Sequence, residues 1–372
     1  MKQRVLIVLG TRPEAIKLAP VIRALAAQAE RFDVHVCSTG QHETLVVQVL
    51  DLFGIALDSE FSVMSRATSL ASLTSAIFDE LDPVVREFGP DWVVVQGDTT
   101  SAMVGALTGF YNGACVAHVE AGLRTWNRAA PFPEEANRNI IAQVADRHYA
   151  PTVRAQENLL RQGIAANSIS VTGNTVVDAL LWARSLLDET VPDGLASDIE
   201  TFTAGRRLIL ATSHRRESFG HGLENICSAI NRIVAHNADV VVVFPVHPNP
   251  AVLEPIHRLL GGQPRIRLLE PLPYLALVWL LNRAHHVLTD SGGIQEEAAS
   301  VGKPVLVMRE TTERSEIIEL GVGALVGIDA SGIASAVQAL LDEPERYSRM
   351  AQAGSAFGDG KAAQRIAGDL AQ

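Results

Sequence analysis

The feature that most constrains the fold is a series of short apolar runs, rich in Val, Ile and Leu, without strict alternation of polar residues. Strands of a parallel sheet have this composition because helices cover both of their faces. Segments with helical apolar spacing, such as Leu18–Ala26 and Leu223–Ile233, lie between the runs. The alternation predicts an α/β fold with doubly wound parallel sheets. The predicted strands are Val5–Leu9, Val34–Ser38, Trp92–Gln96, Ala114–Val119, Leu208–Ala211, Val240–Phe244, Ile266–Leu269, His286–Thr289 and Pro304–Met308.

The alternating pattern pauses once, at residues 172–204, which include a predicted helix, Val176–Leu187, and the polar segment Pro192-Asp193-Gly194. A chain of 372 residues exceeds the usual size of a single hydrophobic core. We therefore predict two α/β domains, with the boundary after residue 171. Ligands of such sheets bind beyond the carboxyl ends of the strands, so the cleft between the domains is the expected site.

Charge and cysteine content limit the classes of partner. The formal net charge is −11, from 42 acidic against 31 basic residues, which argues against a nucleic-acid partner. The three cysteines lie in or beside apolar runs without CxxC spacing, as reduced thiols of a cytoplasmic protein do. The N-terminus runs directly into a strand, and no apolar run reaches the length of a membrane span. We expect a cytoplasmic protein that does not insert into membranes.

Charged side chains follow several predicted strands of the first domain. After the first strand come Arg12 and Lys17, on a turn that lacks the GxGxxG dinucleotide fingerprint. Lys17 alone is better explained as a surface lysine, but two cations at one strand–helix turn suit an anion. Asp98 is interpreted either as a helix cap or as a carboxylate of the site. Glu120 directly follows a strand, where capping is no explanation, so a functional interpretation gains weight.

The string PEEANR adds two further carboxylates at the start of a predicted helix. Proline and acidic residues are favoured in a first helical turn, which is a sufficient explanation for Glu135. Glu134 differs because Arg138 lies four residues later, on the same helix face. We expect Arg138 to hold Glu134 ionised or to orient it.

The second domain offers positively charged and phosphate-binding features at its strand ends. His214 is followed by two arginines, a set that suits an anion, although capping by Ser213 and solvated bases are the alternative. Ser291-Gly292-Gly293 opens a helix, where the glycines let a phosphate approach free N–H groups. Glu297 lies about one turn into that helix, within reach of sugar hydroxyls. For His247, ligand contact and packing remain equally open.

These residues together indicate one kind of ligand. Cations and a phosphate cradle stand on one side, and carboxylates stand on the other. The sequence has no clustered His/Cys metal set and no Asp-x-Asp run, so we expect neither a metal nor another cofactor. The inventory favours a nucleoside-diphosphate sugar whose phosphates are neutralised by Arg, His and helix N–H groups.

Eight strings carry a resemblance to a known family: GTRPEAIKLAP, QGDTTSAM, HVEAGLRT, PEEANR, TGNTVVDALL, SHRRESFG, DSGGIQEEA and GKPVLVMRETTER. Across essentially its whole length the chain resembles the non-hydrolysing UDP-N-acetylglucosamine (UDP-GlcNAc) 2-epimerases. The resemblance implies a GT-B fold of two Rossmann-like domains, in which residues 356–372 return to the N-terminal domain of residues 1–171. Residues 172–355 then form the UDP-binding domain. It also implies a cytoplasmic homodimer that interconverts UDP-GlcNAc and UDP-N-acetylmannosamine (UDP-ManNAc) for surface polysaccharides.

The resemblance also implies roles for individual residues. Positions that match catalytic residues of the family are Asp98, Glu120, Glu134, Arg138 and His214. Positions that match substrate-binding residues are Arg12, Lys17, Asp98, Glu120, His214, Leu272, Leu277, Ser291, Gly292, Gly293, Glu297 and Arg314. Leu277 stands where the family commonly has an aromatic residue, and Leu272 stands at a base-contacting position. Gln41, His42 and Arg66 fit a second, activating UDP-GlcNAc site, from which Thr44 and Pro248 depart.

Two routes can invert C2 of a closed sugar ring. One oxidises a neighbouring hydroxyl with bound NAD, and the absent fingerprint weighs against it. The other expels UDP while a base removes the C2 proton, giving 2-acetamidoglucal, which is then protonated on the opposite face. Three alternative functions stay open: a hydrolysing epimerase that releases ManNAc, a GT-B glycosyltransferase, and a non-enzymatic nucleotide-sugar-binding regulator.

Overall fold

The computed structural model of the protein describes residues 2–41, 43–187, 195–215, 218–352 and 357–372. The segment Pro192-Asp193-Gly194 and Ala356, where the predicted second part of the N-terminal domain begins, lie outside these residues. The chain divides into two compact units. Unit 1 comprises Met1–Leu181 and Phe357–Gln372, and unit 2 comprises Trp182–Ala356.

Unit 1 is built on a parallel sheet of seven strands. Its strands are β1 (Gln3–Leu9), β2 (Phe32–Ser38), β3 (Ser59–Glu60), β4 (Trp92–Gln96), β5 (Cys115–Val119), β6 (Arg147–Ala150) and β7 (Ile169–Val171). Their order in the sheet is β3-β2-β1-β4-β5-β6-β7. The helices of this unit are α1 (Arg12–Ala26), α2 (Glu43–Leu52), α3 (Leu70–Phe88), α4 (Thr100–Tyr111), α5 (Glu134–Val144), α6 (Val153–Arg161), the start of α7 (Thr175–Leu187) and α16 (Ala362–Leu370).

Unit 2 repeats the same plan on a parallel sheet of six strands. Its strands are β8 (Arg207–Thr212), β9 (Val240–Pro245), β10 (Ile266–Leu269), β11 (His286–Thr289), β12 (Val305–Val307) and β13 (Gly323–Leu325), in the order β10-β9-β8-β11-β12-β13. Its helices are α8 (Leu195–Thr203), α9 (His221–His236), α10 (Pro250–Leu260), α11 (Tyr274–Arg283), α12 (Gly292–Ser300), α13 (Ser315–Glu319), α14 (Ala330–Asp342) and α15 (Pro344–Met350). Within the described ranges, no helix combines the length and apolarity needed to cross a bilayer.

Each sheet has a point at which the strand order reverses direction. In unit 1 this point lies between β1 and β4, and in unit 2 between β8 and β11. Loops at such a point diverge to opposite faces of the sheet and leave a crevice at the carboxyl ends of the strands. The fold therefore brings together the residues that follow β1, β4 and β5 in unit 1, and those that follow β8 and β11 in unit 2.

The predicted α/β class with two Rossmann-like sheets is confirmed, and the apolar runs explain why. Residues 5–9 of β1 are fully buried, as expected for a central strand with helices on both faces. The predicted strands correspond to observed strands with ends shifted by at most two residues. The predicted strands do not include β3, β6, β7 and β13, which have two to four residues each. Runs this short contain too few apolar residues to stand out, and their pairing with a neighbouring strand stabilises them.

The C-terminal helix α16 is held in unit 1 by a carboxylate of α7. Asp178 accepts hydrogen bonds from the N–H groups of Ala362 and Ala363, at 3.3 and 2.9 Å, and so caps the first turn of α16. Tyr149 donates to the carboxylate of Asp369 at 2.9 Å near the other end of the helix. The Asp178 contacts tie α7 to α16, and Tyr149 ties β6 to α16. Unit 1 extends to Leu181, whereas the predicted boundary lies at residue 171.

Replacing Asp178 by Ala is expected to lower the free energy of unfolding by about 1–2 kcal/mol, because two N–H groups at a helix start lose their acceptor. Chemical denaturation measures the loss. Asp359→Ala is the control, since its contacts with Arg365 are exposed to solvent and a smaller change is expected. Equal losses in the two variants would show that Asp178 does not anchor α16.

Candidate active site

At the carboxyl end of the unit 1 sheet, a buried ion pair joins α1 to the end of β5. Lys17 donates to Oε2 of Glu120, and both side chains are less than a tenth exposed. The same oxygen accepts a hydrogen bond from Asn174 Nδ2 at 3.0 Å. The interpretation of Lys17 as a surface lysine is therefore wrong. The pair places a carboxylate and an ammonium group side by side directly beyond β5.

The backbone of Glu120 is also unusual. Its φ angle is 62°, in the left-handed region that non-glycine residues rarely adopt. Strain of this kind persists where the surrounding structure fixes it, and it clusters at functional sites. Gly97, after β4, also has a positive φ angle, of 72°, which glycine adopts without strain.

A second ion pair lies beside the first. Arg138 of α5 binds the carboxylate of Asp98, and the arginine side chain is 6% exposed. The N-cap of α4 is Thr99, whose hydroxyl accepts the N–H of Ala102 at 3.0 Å. Asp98 is thus not the capping residue, and its side chain, bound to Arg138, is 24% exposed.

The two glutamates of α5 have different environments. Glu135 is 1% exposed and binds Arg138 Nη1 at 3.0 Å, as well as the N–H groups of Thr125 and Trp126 at 3.1 Å. It holds the loop before α5 and is not the solvated charge of a helix start. The expected pairing of Arg138 with Glu134 at four residues' distance is wrong, because Arg138 binds Glu135 and Asp98 instead. Glu134 Oε2 is buried and has no hydrogen-bond partner among the described residues.

In unit 2, Asp290 organises the carboxyl end of the sheet. This fully buried residue follows β11 and accepts hydrogen bonds from the hydroxyl groups of Ser213 and Ser218, at 2.8 and 3.1 Å. It also accepts the N–H groups of His214 and Arg215 at 3.1 Å. One carboxylate therefore fixes the described part of the loop after β8 and sets the position of His214.

The ring of His214 lies 3.6 Å (Nδ1 to Oδ1) from Asp290 and stacks on His247, with 5.9 Å between ring centroids. Desolvation lowers the pKa of His214, Asp290 opposes this, and the positive charge of Arg215 lowers the pKa further. The neutral imidazole is therefore favoured at neutral pH. His247 Nδ1 accepts the N–H of Asn249 at 3.2 Å, which leaves Nε2 as its donor.

The start of α12 is shaped around Arg314. Ser291 is the N-cap residue, and a Cβ added at Gly292 would lie 2.7 Å from the guanidinium carbon of Arg314. A Cβ at Gly293 would meet no protein atom within 4 Å. Only glycine at 292 lets the guanidinium lie against the first helical turn, where unpaired N–H groups also point outward.

A cluster of arginines surrounds one carboxylate behind this turn. Glu313 is 1% exposed on its side chain and binds Arg309 at 2.6 Å, Arg215 at 3.3 Å and Arg314 at 3.4 Å. Burial acts to raise the pKa of Glu313, but the three guanidinium groups outweigh it and hold the pKa well below its usual range. Arg314 also binds Glu296 at 2.9 Å. The resulting site is positively charged and preorganised for an anion.

The remaining predicted residues fall at several places. Arg12 is the half-buried first residue of α1. Leu272 and Leu277 are half-buried, two residues before α11 and within it, and Glu297 is buried in α12.

Of the residues proposed for a second site, Gln41 accepts the hydroxyl of Ser101 at 3.0 Å and Arg66 pairs with Glu80 on the surface. Pro248 is exposed. His42 and the side chain of Thr44 lie outside the described residues.

Three residues of these clusters were missed: Asn174, Asp290 and Glu313. Asn174 lies in TGNTVVDALL, and its link to Glu120 joins residues 54 apart in the chain. Asp290 directly precedes Ser291-Gly292-Gly293, and an acid that directly follows an apolar strand was a usable signal. Glu313 stands between Thr312 and Arg314 and looks like an ordinary surface acid. Among the residues that the structure describes, no group of three or more His, Cys, Asp or Glu side chains is arranged to hold a metal ion.

Comparison with known proteins shows the family to which the chain belongs. The family model for UDP-N-acetylglucosamine 2-epimerase matches residues 23–371. A UDP-N-acetylglucosamine 2-epimerase of Salmonella typhimurium is 47% identical over 365 residues, which are 98% of this chain and 97% of the relative. The crystal structure of the Neisseria meningitidis UDP-GlcNAc 2-epimerase bound to UDP-GlcNAc superposes with a TM-score of 0.93 at 40% identity, covering 100% of this chain and 99% of that one. The S. aureus MnaA–UDP structure gives a TM-score of 0.92 at 38% identity, covering 100% and 96%. The chain therefore belongs to the UDP-N-acetylglucosamine 2-epimerase family.

Proposed function

We propose that the protein interconverts UDP-GlcNAc and UDP-ManNAc by eliminating and re-adding UDP through 2-acetamidoglucal, without net hydrolysis. The observation that supports the proposal is the group of three carboxylates at the carboxyl end of the unit 1 sheet. It has two carboxylates paired with buried cations, Glu120 and Asp98, and a third, Glu134, whose Oε2 receives no hydrogen bond from the described residues. A relative of known structure binds UDP-GlcNAc, which supports the choice of substrate.

The reaction needs proton transfer on two faces of the sugar. In the forward direction a carboxylate takes the C2 proton, the C1–C2 double bond forms, and the electrons of the C1–O bond leave with UDP. The glucal is then protonated at C2 from the opposite face while UDP attacks C1. One group cannot serve both faces, and the chain supplies carboxylates from three elements. We assign Glu134 as one proton-transfer group, because no residue in the described ranges competes for a hydrogen bond to its Oε2.

The leaving diphosphate needs positive charge that is already in place. We assign the positive charge to Arg314, and hydrogen-bond donation to the N–H groups at Ser291, Gly292 and Gly293 and to the neutral ring of His214. These groups stabilise the charge that develops on the β-phosphate as the C1–O bond breaks. Arg12 and Lys17 contribute positive charge in unit 1, Glu297 binds ribose hydroxyls, and Leu272 and Leu277 flank the uracil.

Incubation with UDP-GlcNAc alone tests the activity. UDP-ManNAc as product supports the proposal. Release of free ManNAc with UDP would identify a hydrolysing enzyme. Turnover only with an added acceptor would identify a glycosyltransferase, and binding without turnover would leave a sugar-nucleotide-binding protein.

Isotopic labelling tests the bond that breaks. In D₂O, the product is expected to carry deuterium at C2. ¹⁸O placed in the C1–O–P bridge is expected to scramble into non-bridging positions, because the β-phosphate oxygens become equivalent once UDP leaves. An oxidation at C3 or C4 leaves the bridge intact. Complete epimerisation with the bridging label fully retained, in a site where the bound diphosphate can rotate, would reject elimination.

We also infer a homodimer, as expected from the resemblance. An exposed aromatic patch on α3 and α4 supports it: Phe110 and Tyr111 are 53% and 69% exposed, and Tyr111 lies 6.4 Å from the ring of Phe78. Contiguous exposed aromatic surface favours association. Sedimentation equilibrium is expected to give a dimer, and Tyr111→Glu is expected to shift it toward monomer. A monomeric wild-type protein at micromolar concentration would contradict the inference.

A further inference from the structure

Glu14 is a buried carboxylate to which the proposed mechanism gives no role. It is 1% exposed, and its two oxygens face different elements of unit 1. Oε2 accepts the N–H groups of Gly10 and Thr11, at 3.2 and 2.8 Å, and the Thr11 hydroxyl at 2.7 Å. These contacts close the turn between β1 and α1, as a capping box does.

The second oxygen of Glu14 makes a long-range hydrogen bond that a capping box does not require. Oε1 of Glu14 accepts the hydroxyl of Thr99 at 2.7 Å, across 85 residues of sequence. Thr99 is the N-cap residue of α4 and directly follows Asp98. One carboxylate thus connects the turn that leads into Arg12 with the loop that carries Asp98.

We propose that Glu14 is a positioning residue that fixes the loop of Asp98 relative to the turn of Arg12 through its hydrogen bond from Thr99. This deepens the proposed epimerase function and rests on it. Burial raises the pKa of Glu14 to about 7 despite four hydrogen bonds, so the structure keeps a carboxyl group at a site where its ionisation is disfavoured. Helix capping alone has less costly solutions, such as the Thr99 cap itself.

Two substitutions of Thr99, by Asn and by Asp, differ only in an amide against a carboxylate. Comparing them distinguishes the role of Thr99 in positioning the Asp98 loop from its role as the N-cap of α4. Asn and Asp are about equally good N-caps, so both Thr99→Asn and Thr99→Asp preserve the contact with the N–H of Ala102. The amide of Asn can also donate to Glu14. The carboxylate of Asp cannot, and at a pH well above the pKa of Glu14, where the kinetics are measured, it places like charge beside Glu14. We expect kcat of Thr99→Asn to stay within about threefold of wild type. We expect Thr99→Asp to lower kcat by on the order of tenfold to a hundredfold, as small misplacements of reacting groups do.

Two further measurements distinguish a positioning role from a general loss of structure. The affinity for free UDP, which the unit 2 residues bind in the proposed function, is expected to be the same in both variants. Adding Glu14→Gln to Thr99→Asp restores a hydrogen bond with donor and acceptor exchanged, and it is expected to recover part of kcat. Equal kcat in the Asn and Asp variants, or the absence of any recovery in the double variant, would overturn the proposal.

Amide hydrogen exchange tests the connection between Glu14 and Thr99 even if the proposed epimerase activity is absent. If wild-type protein forms no UDP-ManNAc, the proposed epimerase activity fails. Exchange at the N–H groups of Gly10 and Thr11 then still reports on the connection. Faster exchange in Thr99→Asp than in Thr99→Asn supports it, and equal exchange rejects it.

Discussion

Replacing Glu134 by Gln is expected to lower kcat for epimerisation by on the order of 10²-fold or more, with little change in UDP affinity. An amide cannot take the C2 proton, and Glu134 Oε2 is the buried carboxylate oxygen without a hydrogen-bond partner in the described part of the site. Because no ion pair is lost, the free energy of unfolding is expected to stay the same or to rise. Steady-state kinetics, calorimetry with UDP and chemical denaturation measure the three quantities.

Glu135→Gln is the matched control, one residue away on the same helical turn. Its carboxylate pairs with Arg138 and accepts two backbone N–H groups, so the main expected effect is a loss of about 3 kcal/mol in the free energy of unfolding. Any loss of kcat is expected to be smaller than in Glu134→Gln. A stable, inactive Glu135→Gln beside an active Glu134→Gln would show that the roles along PEEANR are shifted by one residue.

Substitution of Asp98 or Glu120 is expected to lower both kcat and the free energy of unfolding. Asp98→Asn and Glu120→Gln remove carboxylates of the proposed site, and each also removes one buried ion pair, with Arg138 and with Lys17 respectively. Their losses of kcat therefore come with losses of stability, whereas that of Glu134→Gln does not. This contrast lets kinetics and denaturation together separate proton transfer from charge pairing.

The fold was largely predictable from the apolar runs, because buried parallel strands need continuous Val, Ile and Leu. The missed strands show the limit of that signal. β6 has the sequence RHYA, and its His148 pairs in register with His118 of β5. Neighbouring strands and helices bury these residues, and a four-residue polar run does not reveal that environment.

The site was predictable as a set of residues at strand ends, but its pairings were not. Helical spacing suggested that Arg138 would pair with Glu134, whereas Asp98, at the end of β4, competes for the same guanidinium. Lys17 looked like a surface lysine until β5 placed Glu120 beside it. Such partners lie 40 to 103 residues apart in the chain, so local spacing carries no information about them.

Gly292→Ala is expected to weaken UDP binding by on the order of 10²-fold, because its Cβ would lie 2.7 Å from the guanidinium carbon of Arg314. Arg314 cannot easily move away, since it is buried and bound to Glu296 and Glu313. The substitution therefore forces either the guanidinium or the first turn of α12 out of position, and the diphosphate loses a preorganised charge.

Gly293→Ala separates this effect from direct obstruction of the ligand. Its Cβ would meet no protein atom within 4 Å, so any loss of UDP affinity measures how closely the diphosphate approaches the helix start. Both affinities are measured by calorimetry with UDP, and denaturation checks that each variant is folded. A loss in Gly292→Ala alone would mean that the diphosphate depends on Arg314 and lies away from the N–H groups at Gly293. Unchanged affinity in both variants would place the diphosphate elsewhere in the protein, and the proposed role of Ser291-Gly292-Gly293 would be wrong.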